Sequence, residues 1–275
     1  MMSAEEIGKI VEIAAEFGVK RVKLTGGEPL LRQDIADVVE AVARAPIEEV
    51  SMSTNGTLLA DAAYELADAG LARVNISLDT LDPDTYAFIT GKHLLADVLS
   101  GLDAALDAGL APVKLNMVVL SGLNEDEIER MIDYISRKGA ILQLIELLEM
   151  PDGGQNFNRY YLDLSDVERL LSERATAVQT RQSMHARKKY ILPEGEVEVV
   201  RSMHNSEFCM HCTRLRLTPD GYLKTCLMSN DGLVDVLSHV REGTIDRART
   251  AFKEAVMLRE PYFKTPSQRV APLVK

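Results

Sequence analysis

Apolar residues in the first half of this chain recur every three to four positions in one stretch and form short β-branched runs in the next, and the two patterns alternate. Ser3-Ala4-Glu5-Glu6 reads as a capping box, and Ile7, Ile10, Ala14 and Phe17 then follow at helical spacing until Gly18 stops the helix. A strand over 21–25 comes next, then a helix over 34–45, a strand over 49–53, a helix over 61–69 closed by Gly70, and a strand over 73–78. Asp82-Pro83 opens a further helix with proline at its first position, where the missing N–H costs nothing. A helix over 94–108, a strand over 113–120, a helix over 125–138 and a strand over 141–147 complete the series. Five strands separated by helices predict parallel pairing through right-handed crossovers, an α/β barrel-like sheet.

Past Met150 the pattern changes. Pro151-Asp152-Gly153-Gly154-Gln155-Asn156 reads as loop, Ser165-x-x-Glu168 as the cap of a short helix, and Tyr190–Leu192 with Val197–Val200 as a hairpin around Pro193-Glu194-Gly195. The expected division is a barrel part over 1–150 and a smaller C-terminal region over 151–275, ending in a tail without periodicity after Pro261.

Composition narrows the function classes. Thirty-one Lys and Arg against 42 Asp and Glu leave a net charge of −11, which argues against broad binding to a nucleic-acid backbone. No apolar run approaches the roughly 18 to 20 residues of a membrane helix, and Met1 leads into a polar helix without a signal-peptide pattern, so the expected location is cytoplasmic. The only cysteines are Cys209, Cys212 and Cys226, and in a reducing compartment their clustering points to metal rather than disulfide.

In a parallel barrel, reactive groups gather where strands end. Here those places carry Thr25-Gly26-Gly27-Glu28-Pro29, Ser53-Thr54-Asn55-Gly56, Ser77-Leu78-Asp79, Lys114-Leu115-Asn116 and Glu146, polar or small where packing alone favours Val, Ile or Leu. Adjacent glycines let a backbone approach a ligand, and Glu28 beside them suits a ligand ammonium group. A tight strand-to-helix turn would explain the glycines alone, but not five polar ends together.

The second constellation is Cys209-x2-Cys212-Thr213-Arg214-Leu215-Arg216-Leu217, then Pro219-Asp220-Gly221, then Cys226. The Asp-Gly turn predicts a hairpin that returns the third cysteine to the first two. Three thiolates suit a 4Fe-4S cluster with one open iron, or zinc if His211 or His204 adds a fourth ligand, and spacing leaves both open. Arg214 and Arg216, two apart on an expected strand, would face one side as a fork for a triphosphate. Solvated surface arginines are the plainer reading.

Val22-Lys23-Leu24-Thr25-Gly26-Gly27-Glu28-Pro29, Ser53-Thr54-Asn55-Gly56, Val74-Asn75-Ile76-Ser77-Leu78-Asp79, Val113-Lys114-Leu115-Asn116 and Cys209-x2-Cys212-Thr213-Arg214-Leu215-Arg216-Leu217 together resemble the GTP 3′,8-cyclase family. These are radical S-adenosylmethionine (SAM) enzymes of molybdenum cofactor biosynthesis. The Gly-Gly-Glu-Pro turn is common to the superfamily, and the cysteine segment is far more specific.

The resemblance implies a TIM-like (β/α) radical-SAM barrel with a C-terminal three-cysteine cluster region. Gly27, Glu28, Ser77 and Leu148 would hold SAM, with Glu28 toward its amino group. Lys23, Ser53 and Lys114, with Arg214 and Arg216, would meet GTP, and Cys209, Cys212 and Cys226 would ligate a 4Fe-4S cluster whose open iron faces the guanine. A 5′-deoxyadenosyl radical would take hydrogen from the ribose C3′, and attack on guanine C8 would give 3′,8-cyclo-7,8-dihydroguanosine 5′-triphosphate. A flavodoxin- or ferredoxin-type electron donor and a downstream pathway enzyme are the implied partners, and a homodimer stays open.

The chain also departs from the family pattern. The Cys-x3-Cys-x2-Cys loop of a second, N-terminal 4Fe-4S cluster is absent. The chain as written is therefore expected to be inactive and to lack the first barrel strand, leaving an exposed sheet edge, through either a misplaced start or a real truncation. Gln143 stands where many members carry arginine, and the chain ends Leu273-Val274-Lys275 rather than Gly-Gly. A different radical-SAM maturase with auxiliary clusters, and a non-catalytic nucleotide-binding or zinc module, are the alternatives.

Overall fold

The hydroxyl of Ser3 accepts from the Glu6 N–H at 3.1 Å while the Glu6 carboxylate accepts from the Ser3 N–H at 2.8 Å, so a reciprocal cap starts α1 (Ala4–Glu16) where the sequence places it. The computed structural model describes residues 1–149, 154–181, 186–202 and 206–259. The α/β alternation continues with β1 (Arg21–Leu24), α2 (Ile35–Ala43), β2 (Glu49–Thr54), α3 (Leu59–Asp68), β3 (Arg73–Ser77), α4 (Pro83–Thr90) and α5 (Leu95–Asp107). It proceeds through β4 (Lys114–Val119), α6 (Ile128–Lys138) and β5 (Ile141–Glu146). Each boundary lies within a few residues of the sequence expectation.

The later elements are α7 (Gly154–Tyr160), α8 (Ser165–Arg174), β6 (Ala177–Arg181), β7 (Arg187–Ile191), β8 (Glu196–Val200), α9 (Ser206–Met210), β9 (Arg216–Leu217), β10 (Tyr222–Lys224), β11 (Val234–Asp235), α10 (Leu237–Arg241) and α11 (Ile245–Met257). Three expectations change here. Residues 154–156 belong to a helix rather than a loop, residues 151–153 lying outside those described. Ser165 does not cap α8: it is the first helical residue, its N–H donating to Asp163 at 2.7 Å, and Glu168 turns instead to Arg201 at 3.1 Å, the stronger attraction for a carboxylate. The hairpin around Pro193-Glu194-Gly195 forms, but its second strand lies beside β5 and extends the main sheet.

That sheet has eight strands among the described residues, in the order β1-β2-β3-β4-β5-β8-β7-β6. Strands β1 to β5 and β8 pair in parallel and β7 runs antiparallel to β8, which matches a partial TIM-like barrel. Strand β1 is at the edge. The chain separates into two compact units, a larger one drawn from residues 3–180 and 187–202, and a smaller one built mainly from residues 206–259. The smaller unit carries the three-stranded sheet β11-β10-β9 with α9 to α11.

Strand alternation gives the larger unit's sheet two chemically different faces. Val50, Met52, Val74, Ile76, Leu115, Met117, Leu142, Leu144, Val197 and Val199 share one face and are buried in the apolar core with the helices. Lys23, Ser51, Ser53, Arg73, Asn75, Ser77, Lys114, Asn116, Gln143 and Glu198 share the other. The α5 helix fits against the exit of β2 because Gly101 has no side chain: a Cβ there would stand 2.3 Å from the Gly56 carbonyl oxygen.

Candidate functional site

The polar sheet face is built by register. Ser53 aligns with Asn75 and Asn75 with Lys114, while Asn116 aligns with Gln143 and Gln143 with Glu198, so polar side chains from neighbouring strands stand shoulder to shoulder. The Asn75 carboxamide oxygen accepts from Lys23 Nζ at 3.0 Å and from Arg73 at 3.3 Å, and its Nδ2 donates to Asn116 Oδ1 at 3.2 Å. Arg73 also pairs with Glu49 at 2.8 Å. Lys114, 4 % exposed, is paired with Glu198, 0 % exposed, at 2.5 Å, and the second oxygen of Glu198 accepts from Gln143 Nε2 at 2.8 Å.

This corrects one expectation. Lys114 opens β4 instead of ending it: tilted strands are staggered, and β4 begins beside the second half of β3. Lys114 is therefore held within the layer and not at a strand exit, whereas Lys23 is exposed on the edge strand β1. Gln143, which has no charge to offer an anion, completes the Lys114–Glu198 group.

At the strand exits, Glu28 holds the turn after β1. Its two oxygens accept from Thr54 Oγ1 at 2.7 Å, the Asn55 N–H at 2.7 Å and the Leu30 N–H at 3.0 Å. A carboxylate has about four acceptor positions, so one remains. Gly26 and Gly27 are exposed, and a Cβ at either would meet nothing within 4 Å, so their backbone is open to a ligand. Ser77 is exposed at the end of β3, Ser53 is half-buried at β2, and Leu148 is half-buried beyond β5. Asp79 accepts from the Val118 N–H at 2.7 Å, and burial pushes its pKa up to about 6, against the opposing pull of that bond.

Glu146, the remaining polar strand end, does not join this layer. It shares the face of Leu142 and Leu144, accepts from the Leu164 N–H at 3.4 Å and pairs with Arg201 at 3.3 Å. Arg201 also reaches Glu168 and Asp163; burial works against its charge, but these carboxylates outweigh it and raise its pKa.

In the smaller unit the Pro219-Asp220-Gly221 turn closes the β9–β10 hairpin, with Thr218 N–H donating to Tyr222 O and Gly221 N–H to Thr218 O, each at 2.9 Å. Cys226 follows two residues after β10. Cys209 and Cys212 are one turn apart, the Cys212 N–H donating to Cys209 O at 3.1 Å. All three cysteines are half-buried free thiols, a donor set that fits a cluster needing three protein thiolates. Among the described residues no three His, Cys, Asp or Glu side chains are already gathered on one point, and His204 lies outside those residues. The strand expected under both arginines is shorter than expected: β9 begins at Arg216, so Arg214 lies before it, and strand alternation does not align the pair. The two are still close enough to repel: Arg214 is exposed to solvent, yet enclosure by the surrounding protein first, then the Arg216 charge, holds its pKa below the usual arginine range. Arg259 donates to the carbonyls of Arg214, at 2.7 Å, and of Cys212.

Sequence reasoning missed Asn75 as a hub, Glu198, Arg201 and Arg259. Glu198 had a signal, since a single acid between Val197 and Val199 on a buried strand must have a partner. Nothing local marks Arg259.

Comparison with known proteins bears on the whole chain. Residues 1–135 match the radical SAM superfamily, and residues 140–265 match the family described as Molybdenum Cofactor Synthesis C. A probable GTP 3′,8-cyclase of Methanothermobacter marburgensis is 48% identical over 267 residues, covering 96% of this chain and 87% of that protein. One from Pyrococcus abyssi is also 48% identical, covering 95% and 87%. Among solved structures, Streptococcus suis SuiB superposes with a TM-score of 0.64 at 17% identity, and SuiB bound to S-adenosylmethionine with 0.63. The match covers 86% of this chain and little more than half of SuiB, and it speaks for the fold alone.

Proposed function

The chain belongs to the GTP 3′,8-cyclase family of radical SAM enzymes, and on that premise we propose that the polar sheet face and strand exits of its larger unit hold GTP and SAM. The family works in molybdenum cofactor biosynthesis and depends on SAM, 4Fe-4S chemistry, GTP as substrate and a reductant. Among the described residues no helix is long and apolar enough to cross a membrane.

One observation carries the reading: a sheet with an apolar core on one side carries lysines, amides and hydroxyls in register on the other. Packing does not account for Lys114 there, since a buried cation must be matched by a partner, here Glu198, and exposed Lys23 on the edge strand β1 adds a second cation to the same face. In this assignment Lys23 and Lys114 meet the triphosphate as charge-assisted donors, and Ser53 hydrogen-bonds the nucleotide. The open backbone at Gly27 receives SAM, Glu28 takes its ammonium group on the remaining acceptor position, and Ser77 and Leu148 complete the contact.

Arg214 and Arg216, on the smaller unit, are further GTP contacts. Cys209, Cys212 and Cys226 would hold a 4Fe-4S cluster, which when bound supplies an open iron for a guanine atom. The chain's own contribution is to fix reactants and keep water from them, since the hard chemistry belongs to the cofactors. With an N-terminal cluster present, a flavodoxin- or ferredoxin-type protein would supply electrons and the product would pass to the next enzyme of the pathway.

Anaerobic reconstitution followed by iron and acid-labile sulfide analysis tests this assignment. About four irons and four sulfides bound through the three cysteines, lost on Cys226→Ser, support it. Zinc without labile sulfide overturns it.

A further inference from the structure

We propose that Glu198 is a positioning residue for the nucleotide, acting through Lys114, whose ammonium group it holds charged and aimed within the polar layer. This rests on the reading that Lys114 meets GTP.

The pair joins strands that are far apart in sequence, β4 and β8, across β5, and both partners are almost wholly shielded from water. Glu198 presents one oxygen to Lys114 at 2.5 Å and the other to Gln143 at 2.8 Å, a two-point seating that fixes the carboxylate's direction. Flanking Val197 and Val199 lie on the opposite, apolar face, so packing gives no reason for an acid at 198. Stability gives little reason either. A buried ion pair is replaceable by apolar residues at little or no cost, whereas one buried charge without the other is strongly unfavourable.

What the carboxylate does provide is a charged lysine in a place where burial alone favours the neutral amine. Gln143 brings no charge to the group, and Asn75 and Asn116, the neighbours of Lys114 across the layer, are neutral. The other charged side chains on this face are Arg21 and Lys23 on β1, Arg73 with its partner Glu49, buried Arg187 on β7, and Lys189, which stands opposite Glu198 and pairs with Glu196; the cations among them press Lys114 further toward its neutral form. Glu198, bonded to the ammonium group itself, opposes these influences at the shortest range. It keeps an ammonium donor ready for an arriving phosphate, so that GTP binding need not first recruit a proton.

The test is the GTP affinity of the purified chain, by calorimetry, between about pH 7 and about pH 9, in wild type, Glu198→Gln, Lys114→Met and the Lys114→Met/Glu198→Gln double variant. Wild-type affinity should change by less than about threefold, whereas that of Glu198→Gln should fall by about tenfold or more as Lys114 loses its proton. In the Lys114→Met background the Glu198→Gln substitution should leave the profile unmoved. Parallel profiles for wild type and Glu198→Gln overturn the positioning role even if Lys114→Met weakens GTP binding. Unchanged affinity in Lys114→Met instead removes Lys114 from the GTP site, a failure of the earlier reading that the other variants do not imitate. If Glu198→Gln does not fold, Glu198→Asp serves: it keeps the charge but withdraws it by one methylene, and a profile identical to wild type then counts against the role.

Discussion

Thr54 donates its hydroxyl hydrogen to Glu28 at 2.7 Å, tying the turn after β1 to the exit of β2. The same carboxylate takes the Asn55 and Leu30 N–H groups, so the open Gly26-Gly27 backbone is framed by a rigid acceptor. Glu28→Ala should cost about 2 kcal/mol in urea denaturation, since a charge-assisted acceptor is lost and two N–H groups are left to water. SAM affinity should fall in the same variant. A stable variant with unchanged SAM affinity would remove Glu28 from both roles.

Asp79 predicts a pH signature. Its pKa is 3.8 unperturbed and about 6 in the fold, raised by burial, so the folded state retains a proton that the unfolded chain has lost between these values. Stability from this group is full below the lower value and is lost as pH rises toward the upper one, by on the order of 3 kcal/mol at most. Asp79→Asn cannot titrate. Its stability relative to wild type should rise between about pH 4.5 and pH 7 in chemical denaturation, and parallel curves would contradict the assignment.

The cysteine hairpin depends on Gly221. Its φ is +90°, and a Cβ would stand 2.2 Å from Leu237 Cβ on α10, so neither turn nor helix can absorb a side chain. Gly221→Ala should destabilise the smaller unit by about 3 kcal/mol. It should also lower iron incorporation through Cys226, as read by iron analysis after reconstitution, and wild-type loading would show that the turn does not bring that cysteine into the ligand set.

Arg214→Ala should weaken GTP binding by about 2 kcal/mol, roughly thirtyfold in Kd, if its guanidinium makes a shielded charge-assisted bond. Relief of the Arg214–Arg216 repulsion partly offsets the loss, so Arg216 should remain a competent donor in the variant. Unchanged calorimetric affinity would remove Arg214 from the GTP site.

Much of the larger unit was legible because its elements are locally coded: the Ser3/Glu6 cap, Pro83 at a helix start and Gly70 after a helix are each read from a few residues. What was not legible depends on partners distant in sequence. The stagger that seats Lys114 inside the layer is a property of β3 and β4 together, and the pairing of β8 with β5 is invisible in either strand alone. Glu198 hid in a valine run because its reason to exist lies 84 residues earlier. In the smaller unit the cysteine spacing and the Asp-Gly turn carried the hairpin, but the two-residue length of β9, which leaves Arg214 off the strand, is not written in the local pattern of residues.

The central claim is that this chain presents a guanine-nucleotide site, and a calorimetric titration of GTP into the anaerobically reconstituted protein, with ATP as control, tests it most directly. Saturable binding of GTP, weakened about tenfold or more by Lys114→Met and not shared by ATP, is the predicted result. GTP binding that is absent, matched by ATP, or indifferent to Lys114→Met would contradict the account.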